Sequence, residues 1–228
     1  MNEQVKQDLE LIIVETGENP SAAVIWLHGL GADGNDFVPI VPELDLPEDL
    51  NVRFIFPHAP MISVTLNNGY VMRAWYDIFS IDRSAPQDQA GIRANAEKIV
   101  HLIETQLAQG IAYERIFLAG FSQGGALALH TALRYPHKLA GIIALSTYLP
   151  LHDDYLQEKH DANQFTPVMM VHGTYDPVVP YEFGKHSYEF LKQQGQAIDW
   201  TDYPMQHQVC MEEILAIGEY IKERLTKN

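Results

Sequence analysis

Apolar residues along this chain fall into short unbroken runs separated by longer periodic stretches. The runs at residues 22–27, 116–119, 139–146 and 168–171 have strand length and almost no polar alternation. A strand without alternation is buried on both faces, as in a parallel sheet covered by helices. Residues 9–14, 52–56 and 197–203 read as further strands, the first of them at a sheet edge. Residues 87–109 carry Ile92, Ala96, Ile99, Ile103 and Leu107 at helical spacing and stop at Gly110. Helices are also expected over 126–133 and 181–193, over 209–225 with Ile214, Ile217, Ile221 and Leu225 on one face, and, shorter, over 37–44. Strands alternating with helices predict an α/β fold with a mainly parallel central sheet and helices on both faces. No repeat, linker or low-complexity segment divides the chain, so residues 1–228 are expected to form one domain.

Two stretches break the rhythm. Residues 149–164 are a polar excursion. Residues 58–86 show no regular pattern, yet carry Leu66, Tyr70, Met72, Trp75, Tyr76 and Phe79. That is too apolar for a solvated linker, and connections of this length are usually functional. The stretch reads as a loop tucked onto the core or as a wall over an apolar pocket.

Composition narrows the function. Thirty acidic against 15 basic residues give a net charge of −15, with no basic run longer than two residues. Such a surface suits neither nucleic-acid phosphates nor docking on anionic membranes. No run reaches the roughly 18 apolar residues of a membrane span, so no stable membrane insertion is expected. The polar start of the chain and the single cysteine, Cys210, fit a reducing cytoplasm. Cys210 itself reads as a buried free thiol. No H-E-x-x-H and no cysteine pair is present, so no metal site is expected.

The chemistry centres on Gly120-Phe121-Ser122-Gln123-Gly124, a G-x-S-x-G placed between a strand and a helix. This is the context of a nucleophile elbow, in which a sharp turn lifts the serine oxygen clear of the backbone. Serine needs a base to activate it, and the base needs an acid to orient it. In the order Ser, acid, His, the post-strand loops supply Ser122, Asp176 and His207. His186 is the alternative base, inside a helix, and Asp153 and Asp154 are alternative acids farther from a strand end. His28 and His172 precede the residues they would have to follow, and each is expected to brace its loop. The developing oxyanion needs two N–H donors: that of Gln123, next to the nucleophile, and that of Leu30 in the loop His28-Gly29-Leu30-Gly31. That loop lacks the P-loop lysine and its Ser/Thr, which argues against a P-loop nucleotide site.

With these segments in place the sequence resembles the small carboxylesterase and acyl-protein thioesterase family, also called the phospholipase/carboxylesterase family. The carriers are His28-Gly29-Leu30-Gly31-Ala32, Trp75-Tyr76-Asp77, Gly120-Phe121-Ser122-Gln123-Gly124-Gly125, Leu145-Ser146, the run from His172 to Pro180, and His207. The resemblance implies an α/β-hydrolase fold with no separate cap domain and no cofactor. It puts the triad on Ser122, Asp176 and His207, the oxyanion donors on Leu30 and Gln123, and Trp75 beside the acyl pocket as a substrate-binding residue. The chain departs from the family at Thr147, where glycine is usual, and at Gln206, where Gly or Pro is frequent. Both departures are expected to alter substrate preference, Thr147 by reshaping the edge of the site.

The resulting expectation is a serine hydrolase of carboxylic esters with short to medium acyl chains. The alternative is an acyl-protein thioesterase or lysophospholipase acting on long chains. A non-catalytic hydrolase-fold binding module is the reading from another class. The partner would be a small ester or thioester, an acylated protein or a lysophospholipid. Monomer and homodimer both stay open.

Overall fold

The computed structural model describes residues 9–80 and 85–226. The first half contains β1 (Leu11–Glu15), β2 (Ala22–Leu27), β3 (Val52–Pro57), β4 (Met61–Val64), β5 (Tyr70–Arg73) and α1 (Gln89–Ala108). The second half contains β6 (Ile116–Phe121), α2 (Gln123–Arg134), β7 (Gly141–Leu145), α3 (Tyr155–Glu158), β8 (Val168–Gly173), α4 (Tyr181–Gln193), β9 (Ile198–Tyr203) and α5 (Met211–Thr226). Seven strands form one sheet in the order β1-β3-β2-β6-β7-β8-β9. Only β1 runs antiparallel, against β3.

The sheet is the parallel one expected from the unbroken apolar runs. Every residue of β2, β7 and β8 is buried, whereas the edge strand β1 alternates exposed and half-buried positions. α1 and α2 pack on one face, around Ile92, Ile99, Ile103 and Leu127. α5 and a 3₁₀ helix at Val38–Leu44 cover the other, around Trp26, Phe54, Ile217 and Ile221. Each such aliphatic side chain contributes about 1.5–3 kcal/mol by leaving water. One expected core position fails. Leu107 is exposed, and Gln106 is buried in its place. The reason is polar: Gln106 Oε1 accepts a hydrogen bond of 3.0 Å from Arg53 at the sheet margin.

The largest difference from the sequence reading lies in residues 58–86. They contain the antiparallel pair β4–β5, a hairpin outside the main sheet, paired from Met61↔Arg73 to Val64↔Tyr70. A signal was available: Asn68 and Gly69 both adopt positive φ, and Asn-Gly between apolar residues is a hairpin turn sequence. The excursion at 149–164 is likewise ordered, by 3₁₀ turns and the short α3. Glu158 at its end is gripped by Arg93 at 2.6 Å and Arg134 at 2.7 Å.

Glu213, in the first turn of α5, is fully buried, and neither of its carboxylate oxygens has a hydrogen-bond partner. Burial pushes its carboxyl up to about 8, against an opposing pull from the Cys210 backbone. Between the ordinary value of 4.5 and 8 the folded chain keeps a proton that the unfolded chain releases. The unfolded state therefore binds fewer protons, and stability falls as pH rises through that window. Glu213→Gln is expected to flatten this decline. Thermal melting followed across pH should show the variant above wild type on the alkaline side and level with it on the acid side. Parallel curves would show that Glu213 does not titrate in the fold.

Candidate active site

The parallel register brings the carboxyl ends of the strands to one edge: Leu27 pairs with Gly120, Phe121 with Leu145, and Gly173 with Tyr203. Each candidate group lies on the connection just beyond one of these ends.

Ser122 links β6 directly to α2, with φ 54° and ψ −120°. A non-glycine residue there carries about 1–3 kcal/mol of strain and persists only when its surroundings over-determine it. Here the Ser122 N–H donates to Leu145 O at 2.8 Å, and its carbonyl accepts from Ala126 N at 3.0 Å. The flanking glycines are required by close approach. A Cβ on Gly120 would lie 2.4 Å from the Gly124 backbone, and one on Gly124 would lie 2.3 Å from Leu27 O. Helix α2 starts at Gln123, three residues earlier than the apolar periodicity suggests. The Gln123 N–H is thus among the first amides of a helix, which have no intrahelical acceptor.

Asp176 and His207 meet. His207 Nδ1 lies 2.6 Å from Asp176 Oδ2, and the Asp176 side chain is wholly buried. Asp176 Oδ1 accepts from the backbone N–H groups of Val178 at 2.8 Å and Val179 at 2.9 Å. Burial alone would raise this carboxyl, but the bonds from His207 and Val178 overcome it and hold it below its ordinary value. The acid is therefore ionised at neutral pH and fixes the Nδ1 proton of His207. The His207 ring packs on Phe121, the residue before the serine, at 4.6 Å between centroids.

The competing residues stand elsewhere. His186 lies on α4, with its ring 5.8 Å from that of His152. Asp154 is paired with Arg93 at 2.9 Å, and Asp153 lies beside His152. His172 is fully buried, donates through Nε2 to Val179 O at 2.9 Å, and is held neutral by burial. His28 donates from Nδ1 to Gly29 O at 2.7 Å, while its Nε2 accepts from Ala59 N at 3.0 Å. Both brace their loops.

Two expectations need correction. Trp75 does not line a pocket: it is fully buried. Its indole donates to His28 O at 2.9 Å, its N–H donates to Gln123 Oε1 at 2.8 Å, and its carbonyl accepts from Asn95 at 2.5 Å. The indole N–H needs an acceptor once buried, and the carbonyl of the oxyanion loop supplies one. Thr147 does not reshape the rim either. It is fully buried and donates from Oγ1 to the Ser122 carbonyl at 2.7 Å. Gln206 is exposed and its backbone carbonyl lies against Gly173.

A cavity of about 510 Å³ opens at Ser122, Gln123 and Leu30. One wall comes from the segment after the hairpin, through Tyr76, Ile78 and Phe79, and the other from Tyr148, Leu149 and Phe183. Sequence reasoning missed Tyr148 and Phe183. Tyr148 stands at the aromatic position that follows Thr147 and Phe183 lies in no motif, and only the fold carries them to the serine.

A strained serine at a strand-to-helix turn, on the same sheet edge as a buried aspartate bonded to a half-buried histidine, defines the α/β-hydrolase class of serine hydrolases. The family profile described as phospholipase/carboxylesterase matches residues 9–225. Acyl-protein thioesterase 1 of Neurospora crassa is 42% identical over 225 residues, which is 95% of this chain and 92% of that protein. Arabidopsis thaliana SOBER1 superposes with a TM-score of 0.85 at 33% identity, over 90% of this chain and 99% of that one. Acyl-protein thioesterase 2 of Zea mays gives a TM-score of 0.85 at 28% identity, over 95% of this chain and 99% of its own. The chain belongs to the phospholipase/carboxylesterase family and is an enzyme of the carboxylesterase and thioesterase type. Among the described residues no helix is long and apolar enough to cross a membrane.

Proposed function

We propose that this enzyme hydrolyses acyl thioesters, with carboxylic esters as slower substrates, and that Ser122, His207 and Asp176 carry the reaction. The supporting observation is the 2.6 Å contact between His207 and Asp176 on the sheet edge where Ser122 meets the cavity. His207 Nε2 takes the Ser122 proton as Oγ attacks the acyl carbonyl. The N–H groups of Leu30 and Gln123 receive the oxyanion. His207 then passes the proton to the departing thiol or alcohol, which leaves Ser122 acylated. Water attacks the acyl group by the same route, releasing the acid and restoring the serine. Asp176 keeps the imidazole in the donating tautomer and stabilises its charged form.

The names of the relatives favour acyl-protein thioesters over the short esters expected from the sequence. The cavity also falls in the size range of sites that bury a whole ligand, about 300–1,000 Å³. One domain holds the whole site in this reading. The sole cysteine, Cys210, suits a reducing compartment such as the cytoplasm. The test is a palmitoyl-thioester reporter set against p-nitrophenyl esters from acetate to dodecanoate. A higher kcat/KM on the thioester supports the reading. Turnover confined to the shortest esters would return the enzyme to the carboxylesterase class.

A further inference from the structure

A closed ring of bonds runs from the elbow through the cavity wall and back. The Thr147 hydroxyl donates to the Ser122 carbonyl at 2.7 Å. Tyr148 follows Thr147 in the chain, and its hydroxyl lies 3.1 Å from that of Tyr76. The Tyr76 carbonyl accepts from Gln123 Nε2 at 2.7 Å. Gln123 is bonded covalently to Ser122, which completes the circuit. Tyr76 and Tyr148 line the cavity together with Ser122 and Gln123, whereas Thr147 is fully buried behind the serine. Burial raises both phenols, so each keeps its proton at neutral pH and the bond between them joins two neutral hydroxyls.

The ring bears on the two groups whose placement matters most. Ser122 sits at positive φ, and the threonine hydroxyl adds a second donor to its carbonyl beside Ala126 N. Gln123 is gripped at both ends of its side-chain amide, by Trp75 N–H at 2.8 Å and by Tyr76 O at 2.7 Å. We propose that Thr147, Tyr148 and Tyr76 are positioning residues: their ring fixes Ser122 and the Gln123 amide, and couples the wall that an acyl chain touches to the turn that cleaves it. The proposal rests on the reading of Ser122 as nucleophile.

Thr147→Val, Tyr76→Phe and Tyr148→Phe each remove one link with little change in volume. The readouts are kcat and KM on p-nitrophenyl butyrate, and the rate at which a small fluorophosphonate labels Ser122. Thr147 lies outside the cavity lining and has no hydrogen bond to either phenol, so energetic coupling between it and Tyr76 must travel through the ring. Each single variant is expected to lower kcat and the labelling rate by about three- to tenfold, the worth of one hydrogen bond, with KM unchanged. The double variant Thr147→Val with Tyr76→Phe should be no slower than the slower single one. Thr147→Ser, which keeps the hydroxyl, should recover most of the rate. Additive losses, an effect confined to KM, or an unchanged labelling rate would overturn the ring. If the Thr147→Val protein does not fold, Thr147→Ala, which removes the same hydroxyl, takes its place and is read by the same criteria. A wild-type protein that the fluorophosphonate leaves unlabelled would instead overturn the reading of Ser122, a separate failure.

Discussion

Ser122→Ala is expected to lower turnover on every accepted substrate by about ten-thousandfold to a millionfold, the loss seen when a triad member is removed. The fold should survive the change. Alanine meets the same penalty at φ 54° as serine does, and the bonds around position 122 involve its backbone rather than its hydroxyl. Residual catalysis would come from binding and from the oxyanion donors, which the substitution leaves in place. The measurement is steady-state hydrolysis beside fluorophosphonate labelling, with melting temperatures as the control. Equal activity in the two proteins would remove Ser122 as the nucleophile. A wild type inert toward all substrates and unlabelled would favour a binding module on this fold.

Asp176→Asn should cost about ten-thousandfold in kcat while leaving the structure nearly intact. The asparagine oxygen can still accept from Val178 and Val179, the two amides that hold Oδ1. Its NH₂ group then occupies the place of Oδ2 and points a donor at His207 Nδ1, where an acceptor stood 2.6 Å away. The imidazole must answer with a lone pair on Nδ1, which moves its proton to Nε2. It then cannot take the proton of Ser122. Raising the pH does not restore this tautomer, so the loss should persist across the alkaline range. A loss below tenfold would mean that another group orients the base.

The sheet and the Asp–His pair were legible in the sequence for a common reason. Unbroken apolar runs mark strands buried on both faces, and chemistry in such sheets sits just beyond the strand ends. That rule, joined to the chain order Ser, acid, His, points to Ser122, Asp176 and His207 in a chain holding 10 histidines; the rule alone would also keep His28 and His172. The hairpin was less legible because four-residue strands offer too few positions to show a period of two. Trp75 and Thr147 misled for a different reason. A motif says that a residue matters near the site, but the direction of its side chain follows from packing. The indole turns inward to reach the His28 carbonyl, and the threonine turns under the serine. Tyr148 could be read only once β7 had placed it opposite Tyr76.

The hairpin from Met61 to Arg73 shares no strand pairing with the seven-stranded sheet. Its outer positions Met61, Tyr70 and Val71 face solvent. Changes of side chain at those three positions leave the strand register untouched, whereas the end of the hairpin is tied down: the Arg73 carbonyl accepts from the N–H of Gly31, beside Leu30, at 2.9 Å. Such an enzyme can vary the face that it turns to solvent there while the sheet beneath its site keeps a single alignment.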